Sequence, residues 1–241
     1  MRILYFIYQW LILVPILLVV TILTALVTIL GSRLGNGDFW GYYPGRIWSR
    51  IFCFLSLLPV KVKGREHIDK NTSYVFVANH QGAFDIFLIY GFLNHNFKWM
   101  MKKSLRKMPL IGKACQDAGH IFVDDSGAKG VRGTIQQAKD TLRNGMSVVV
   151  FPEGSRTLDG AIHRFKRGAF QLAADIQLPV VPLTIEGPYK VMKRGTYQIF
   201  PHRLTLTIHK PLPVCSDNPD EAERLRKEAF DVIASSLEDA K

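Results

Sequence analysis

A chain of 241 residues has room for one domain plus an extra segment, or for a single large domain, and its formal net charge of +11 points to phosphate-bearing partners. The charge is uneven: residues 216–241 carry four Lys/Arg against eight Asp/Glu, so the remainder stands at about +15. Cys53, Cys115 and Cys215 are scattered without a CxxC spacing, which argues against a disulfide framework or a zinc cluster and for reduced thiols facing a cytosol.

From Ile3 to Leu30 no residue is charged and only Gln9, Thr21, Thr24 and Thr28 are polar. As one helix this stretch is ~42 Å long, against a hydrocarbon core of ~30 Å. It can span with tilt or start in the interface, and it exceeds the ~7–15 apolar residues of a signal peptide. After the turn Gly31–Gly37, residues 39–59 are rich in Trp, Tyr, Phe, Leu and Ile but include Arg46 and Arg50. Arginine at a bilayer centre costs about 2.5–3.5 kcal/mol, and Trp40, Tyr42, Tyr43 and Trp48 favour headgroup level. This second segment reads as interfacial. Only Arg2 precedes the apolar run, whereas Arg33, Arg46, Arg50, Lys61, Lys63 and Arg65 follow it, which places the remainder in the cytoplasm.

From about Lys61 strands alternate with helices. The patterns predict strands at 74–78, 119–123, 147–151, 179–185 and 203–209, and helices at 84–94, 128–144, 166–176 and 219–238. In 128–144, Val131, Ile135, Ala138 and Leu142 share a face, and Asn144-Gly145 ends the helix. The expected fold is α/β: a mixed, largely parallel sheet flanked by helices, preceded by an N-terminal membrane-associated two-helix element. The division falls between 1–60, the anchoring helices, and 61–241.

Asn79-His80-Gln81-Gly82-Ala83-Phe84-Asp85 follows the apolar run 74–78. Residues i and i+5 do not share a helix face. His80 and Asp85 therefore meet only if His80 lies in the strand-to-helix turn and Asp85 in the first turns of the next helix. There the carboxylate holds one ring nitrogen and the other takes a proton, a general-base arrangement. A second strand, 147–151, runs into Pro152-Glu153-Gly154-Ser155-Arg156-Thr157, where glycine permits a tight turn and Arg156 can grip a phosphate. Glu153 is placed to fix that arginine or to contact the acceptor. Arg164, Lys166 and Arg167 precede a helix start, where cations oppose the dipole and an anion site is favoured. Lys98 to Lys113 is basic without an acid and reads as a solvated or membrane-facing amphipathic surface, from which one lysine can reach substrate. Neither a Walker A nor a Gly-x-Gly-x-x-Gly pattern is present, and a long membrane segment argues against a nucleic-acid-binding module.

Together these residues resemble the glycerolipid acyltransferase family, especially bacterial 1-acyl-sn-glycerol-3-phosphate acyltransferases. The family's NHxxxxD motif is matched by Asn79, His80 and Asp85, and its FPEG[ST]R motif by Phe151 to Arg156. A lysine segment is matched by Lys102, Ser104, Leu105, Pro109 and Gly112, and a late strand by Val181, Pro182 and Leu183. The resemblance implies transfer of a fatty acyl group from acyl-CoA or acyl-ACP (acyl carrier protein) to the sn-2 hydroxyl of lysophosphatidic acid, giving phosphatidic acid. His80 and Asp85 are then catalytic; Asn79, Lys102, Glu153, Gly154, Ser155, Arg156 and Lys166 bind substrate. No metal, cofactor, nucleic acid or obligate protein partner is implied; membrane lipids are. One departure stands out. Members often read Asp-Arg after the lysine segment, with the arginine on acceptor phosphate, where this chain has Asp124-Asp125. The alternatives are a different lysolipid or amine-bearing lipid as acceptor, or a lipid-binding membrane protein without catalysis.

Overall fold

A computed structural model describes residues 2–124, 127–143, 145–215 and 217–238. Seven strands, β1 (Val60–Lys63), β2 (Val75–Ala78), β3 (Phe97–Lys102), β4 (Ile121–Val123), β5 (Ser147–Val150), β6 (Val180–Glu186) and β7 (Leu204–Ile208), form one sheet in the order β1-β7-β6-β2-β5-β3-β4. All pairings are parallel except β6 with β7. The helices are α1 (Arg2–Tyr8), α2 (Val14–Leu34), α3 (Gly37–Trp40), α4 (Tyr43–Leu55), α5 (Phe84–Phe92), α6 (Ile111–Asp117), α7 (Ala128–Arg143), α8 (Gly168–Ile176), α9 (Pro188–Val191) and α10 (Glu221–Glu238). The mixed, mostly parallel sheet with flanking helices is the architecture the patterning predicts.

Strand alternation divides the core. In β2, Phe76 and Ala78 join a cluster with Leu13, Leu17, Tyr42 and Leu88 on one face of the sheet. Val75 and Val77 join Leu142, Phe170, Leu225 and Ile233 from α7, α8 and α10 on the other. A strand buried on both faces is therefore apolar at every position.

β3 corrects the amphipathic reading of the Lys98 region. Phe97, Lys98 and Trp99 are buried, and the strand lies between β4 and β5. Lys98 is tolerated because its Nζ leaves the sheet to meet the Ala118 carbonyl at 2.9 Å and Asp38 Oδ1 at 3.0 Å. The exposed lysines of this region begin at the strand's last residue, Lys102.

Helix α1 continues into α2 through a π-helical turn, Gln9–Leu13. Ile3–Leu34 is long and apolar enough to cross a membrane, yet it is fastened along the domain. Tyr5 and Tyr8 donate to the Ser56 and Leu55 carbonyls at 3.0 and 2.8 Å. Trp48 Nε1 donates to Thr21 Oγ1 at 2.9 Å, and Arg33 pairs with Asp117 at 2.8 Å. Anchors from Tyr5 to Arg33 hold the helix over ~42 Å. Its outer face exposes Leu4, Leu11, Leu18 and Leu30, and α4 adds Ile47 and Phe54.

Candidate active site

The first four parallel strands from β6 across to β3 end on the same side, and that edge carries the motifs. In open α/β sheets this is where ligands bind. β2 delivers Asn79 and His80, β5 delivers Phe151, and β3 ends at Lys102.

Asn79 is buried and spends its whole carboxamide on one residue of β6. Its Nδ2 donates to the Ile185 carbonyl at 2.9 Å, and its Oδ1 accepts the Ile185 N–H at 2.8 Å. The side chain mimics a peptide unit and ties off the strand where the backbone turns away. His80 follows in the turn, and Asp85 sits in the first turn of α5. Asp85 Oδ2 lies 2.7 Å from His80 Nδ1 and accepts the Gly82 N–H at 2.9 Å. Space at Gly82 is tight: a Cβ would lie 3.1 Å from the Pro188 carbonyl oxygen, and the neighbouring backbone would have to yield by a few tenths of an ångström to admit it. Asp85 is wholly buried, whereas the His80 side chain is 15% exposed. Burial pushes the Asp85 carboxyl above the ordinary carboxylate range, and the bonds from His80 and Gly82 pull against that. A buried carboxylate beside a neutral ring is an uncompensated charge; beside an imidazolium it is compensated.

The ring plane is fixed separately. His80 stacks on Phe151 with centroids 4.0 Å apart and planes at 10°, and Phe151 stacks on Trp99 at 5.6 Å. With Nδ1 directed at Asp85, Nε2 is the nitrogen left to face a substrate.

The Pro152–Thr157 turn is laced to the histidine turn. Glu153 Oε1 accepts the His80 N–H at 2.7 Å, and Oε2 accepts the His163 N–H at 3.0 Å. Thr157 N–H donates to the His80 carbonyl at 2.9 Å. Burial raises the Glu153 carboxyl above its usual range, with the two N–H bonds opposing. Gly154 has φ +76°, a left-handed conformation that favours glycine, and Lys166 Nζ would lie 2.8 Å from a Cβ placed there. Ser155 and Lys166 are exposed and Arg156 is half-buried, its carbonyl accepting Arg194 Nη1 at 2.9 Å.

The predicted site residues thus gather at one edge. Asn79 and Glu153 hold backbone groups, Arg156 and Lys166 bring cations to the glycine turn with Arg194 beside them, and Lys102 ends β3 on the same side. The Asp125 position, where the resemblance departs, lies outside the described residues. The stacking of His80 on Phe151 and the backbone ties of Glu153 and Arg194 are not visible in spacing alone; the aromatic at the end of the 147–151 run was the available signal. Among the described residues no group of three or more His, Cys, Asp or Glu could hold a metal ion. A wide cleft of about 890 Å³ opens at the β4 edge, where Lys103 pairs with Asp124 at 2.6 Å, but neither His80 nor Arg156 lines it.

The edge thus brings a histidine oriented by a buried carboxylate together with a cationic glycine turn, an arrangement fitted to acid–base chemistry on an anionic molecule. A family model described as Acyltransferase matches residues 59–186, and the chain belongs to that family. It is 35% identical over 180 residues to a 1-acyl-sn-glycerol-3-phosphate acyltransferase of Chlamydomonas reinhardtii, covering 74% of this chain and 53% of that one. A chloroplastic 1-acyl-sn-glycerol-3-phosphate acyltransferase of Arabidopsis thaliana is 30% identical over 199 residues, covering 82% and 54%. The chain spans about half the length of these curated relatives. The crystal structure of the 1-acyl-sn-glycerophosphate (LPA) acyltransferase from Thermotoga maritima superposes with a TM-score of 0.81 at 26% identity, covering 99% of this chain and 95% of that one.

Proposed function

We propose that this chain is a membrane-associated acyltransferase that moves a fatty acyl group from acyl-CoA or acyl-ACP to the sn-2 hydroxyl of lysophosphatidic acid, giving phosphatidic acid. The observation that carries the proposal is the 2.7 Å contact between His80 Nδ1 and the buried Asp85. His80 Nε2 takes the hydroxyl proton as the acceptor oxygen attacks the thioester carbonyl, and Asp85 stabilises the imidazolium. The tetrahedral intermediate collapses, the thiolate leaves, and the proton on His80 passes to it. A base so placed typically contributes about 10²–10⁴-fold. No Gly-x-Ser-x-Gly elbow exists, and Ser155 lies in Glu-Gly-Ser-Arg, so transfer is direct rather than through an acyl-enzyme.

Arg156, Lys166 and Lys102 supply the positive edge that a phosphate-bearing acceptor requires. The apolar outer face of α1, α2 and α4 supports membrane association, and the basic residues that follow the apolar run support the cytoplasmic leaflet of the inner membrane. Because α1 and α2 are fastened along the domain, bilayer can cover only their outer side. That favours an interfacial position over a crossing one. The acceptor then reaches the site from lipid and the donor from water.

The test is product analysis with a panel of lysolipids and both donors. Phosphatidic acid formed from lysophosphatidic acid in preference to other lysolipids supports the proposal. Thioester cleavage indifferent to added lysolipid contradicts it.

A further inference from the structure

We propose that the segment from Tyr189 to Phe200, together with Leu158, is a second membrane-contacting surface that seats in the bilayer interface beside α1. It rests on the reading that the outer face of α1 and α2 lies in lipid, and it adds a surface that this reading does not contain.

Tyr197 is 79% exposed, Leu158 72% and Phe200 47%, all on connections far in sequence from the N-terminal helices. They are not independent tips. Tyr189 OH donates to the Leu158 carbonyl at 3.2 Å, and the Phe200 N–H donates to the Val191 carbonyl at 2.9 Å. The unit is joined to the first helix at Gln9. Gln9 Nε2 donates to the Tyr197 carbonyl at 2.7 Å, and its Oε1 accepts from Ile199 N–H and Gln198 Nε2, each at 2.9 Å. Gln9 is 1% exposed and begins the π-helical turn. A polar side chain in an otherwise apolar segment is costly unless satisfied, and π turns re-aim side chains, frequently at functional sites. Here the turn spends its glutamine on holding this loop at the helix. Phe6 and Trp10, close to Gln9 on the same helix, are exposed, and Gln9 ties that part of the helix to the loop that carries Tyr197.

The chemistry of the segment selects a bilayer as the occupant. Residues 187–203 contain Lys190, Lys193, Arg194 and Arg203 and no acid. Lys193 Nζ sits 5.5 Å from the Tyr189 ring centroid. Aromatic side chains among cations match headgroup level over anionic lipid. Because Arg194 also holds the Arg156 carbonyl, seating this segment would set the cationic edge of the site at the depth of the acceptor's phosphate.

The experiment uses the full chain with Cys115→Ser and Cys215→Ser, carrying an environment-sensitive fluorophore on Tyr197→Cys, Leu18→Cys or Asp231→Cys. Leu18 is on the outer face of α2, and Asp231 is exposed on α10, across the sheet. Each variant is bound to phosphatidylethanolamine/phosphatidylglycerol vesicles containing doxyl-labelled lipid. The expected result is a blue shift at position 197 and quenching at least threefold stronger than at 231. Quenching at 18 with position 197 no different from 231, or shielding at 197 without lipid quenching, would overturn the second surface while leaving the first. Absence of quenching at 18 would overturn both.

Discussion

The carboxylate of Glu153 accepts the backbone N–H of His80 at 2.7 Å, binding the glycine turn to the histidine turn. Its second oxygen takes the His163 N–H, so both oxygens are occupied by backbone. Glu153→Gln keeps the shape but turns an NH₂ toward one N–H donor. We expect a stability loss of about 1.5–3 kcal/mol for the charge-assisted bond lost and a kcat loss of roughly 10–100-fold from the displaced histidine. Urea unfolding in detergent and steady-state kinetics check this together. A rise in acceptor KM alone would instead place Glu153 on substrate.

Asp85→Asn removes the charge that compensates the imidazolium while leaving an oxygen near Nδ1. The expected effect is a drop in kcat of about 10²–10⁴-fold, with acceptor KM within a few-fold of the parent. Initial rates of thiol release in the presence of acceptor measure it.

Asn79 separates a structural from a binding role. Asn79→Ala leaves the Ile185 N–H and carbonyl without partners, each costing about 1–3 kcal/mol. Thermal unfolding should fall clearly, and activity at low temperature should survive with acceptor KM unchanged. A large KM change without destabilisation would return Asn79 to the substrate.

Gly154→Ala forces a side chain into φ +76° and against Lys166 Nζ. The left-handed conformation costs roughly 1–2 kcal/mol, and the lysine must move. Acceptor KM should rise several-fold more than donor KM in two-substrate kinetics. Equal changes in both would detach Lys166 from the phosphate.

Two buried histidines set an acid limit to stability. Burial lowers His95 to about 4, and burial with the nearby Lys98 charge lowers His120 to about 3. His120 Nδ1 accepts the Trp99 N–H at 3.3 Å, which a protonated Nδ1 cannot do. The unfolded groups titrate near ~6.5, so below that pH the unfolded chain binds more protons than the folded one. The stability they confer is therefore full above ~6.5 and is lost as pH falls toward their folded values, by a few kcal/mol. The urea midpoint should drop between pH 7.5 and 4.5, and His120→Gln should flatten the slope.

The sheet and the His80–Asp85 contact were legible because each rests on local pattern. A strand buried on both faces is apolar throughout, and a histidine five residues before an aspartate has one geometry that works. β3 was not legible, since a buried lysine satisfied by Asp38, sixty residues earlier in the chain, looks like surface. The course of α1 was hidden for the converse reason: an apolar run shows nothing of which side is fastened, and Gln9 carries that information only through contacts with Tyr197 and Ile199. Asn79 and Glu153 stand in motifs that point to a substrate, whereas their side chains hold backbone groups. A polar side chain that serves the backbone is indistinguishable in sequence from one that serves a ligand.

The central claim is that His80, oriented by Asp85, is the base for acyl transfer to a lysolipid hydroxyl. Single-turnover mixing of acyl-CoA with excess enzyme and lysophosphatidic acid, comparing the parent with His80→Ala, tests it most directly. Phosphatidic acid should form in the parent without a trapped acyl-protein, and about 10²–10⁴-fold more slowly in the variant. Undiminished formation by His80→Ala, or a covalent acyl-protein trapped on the way, would contradict it.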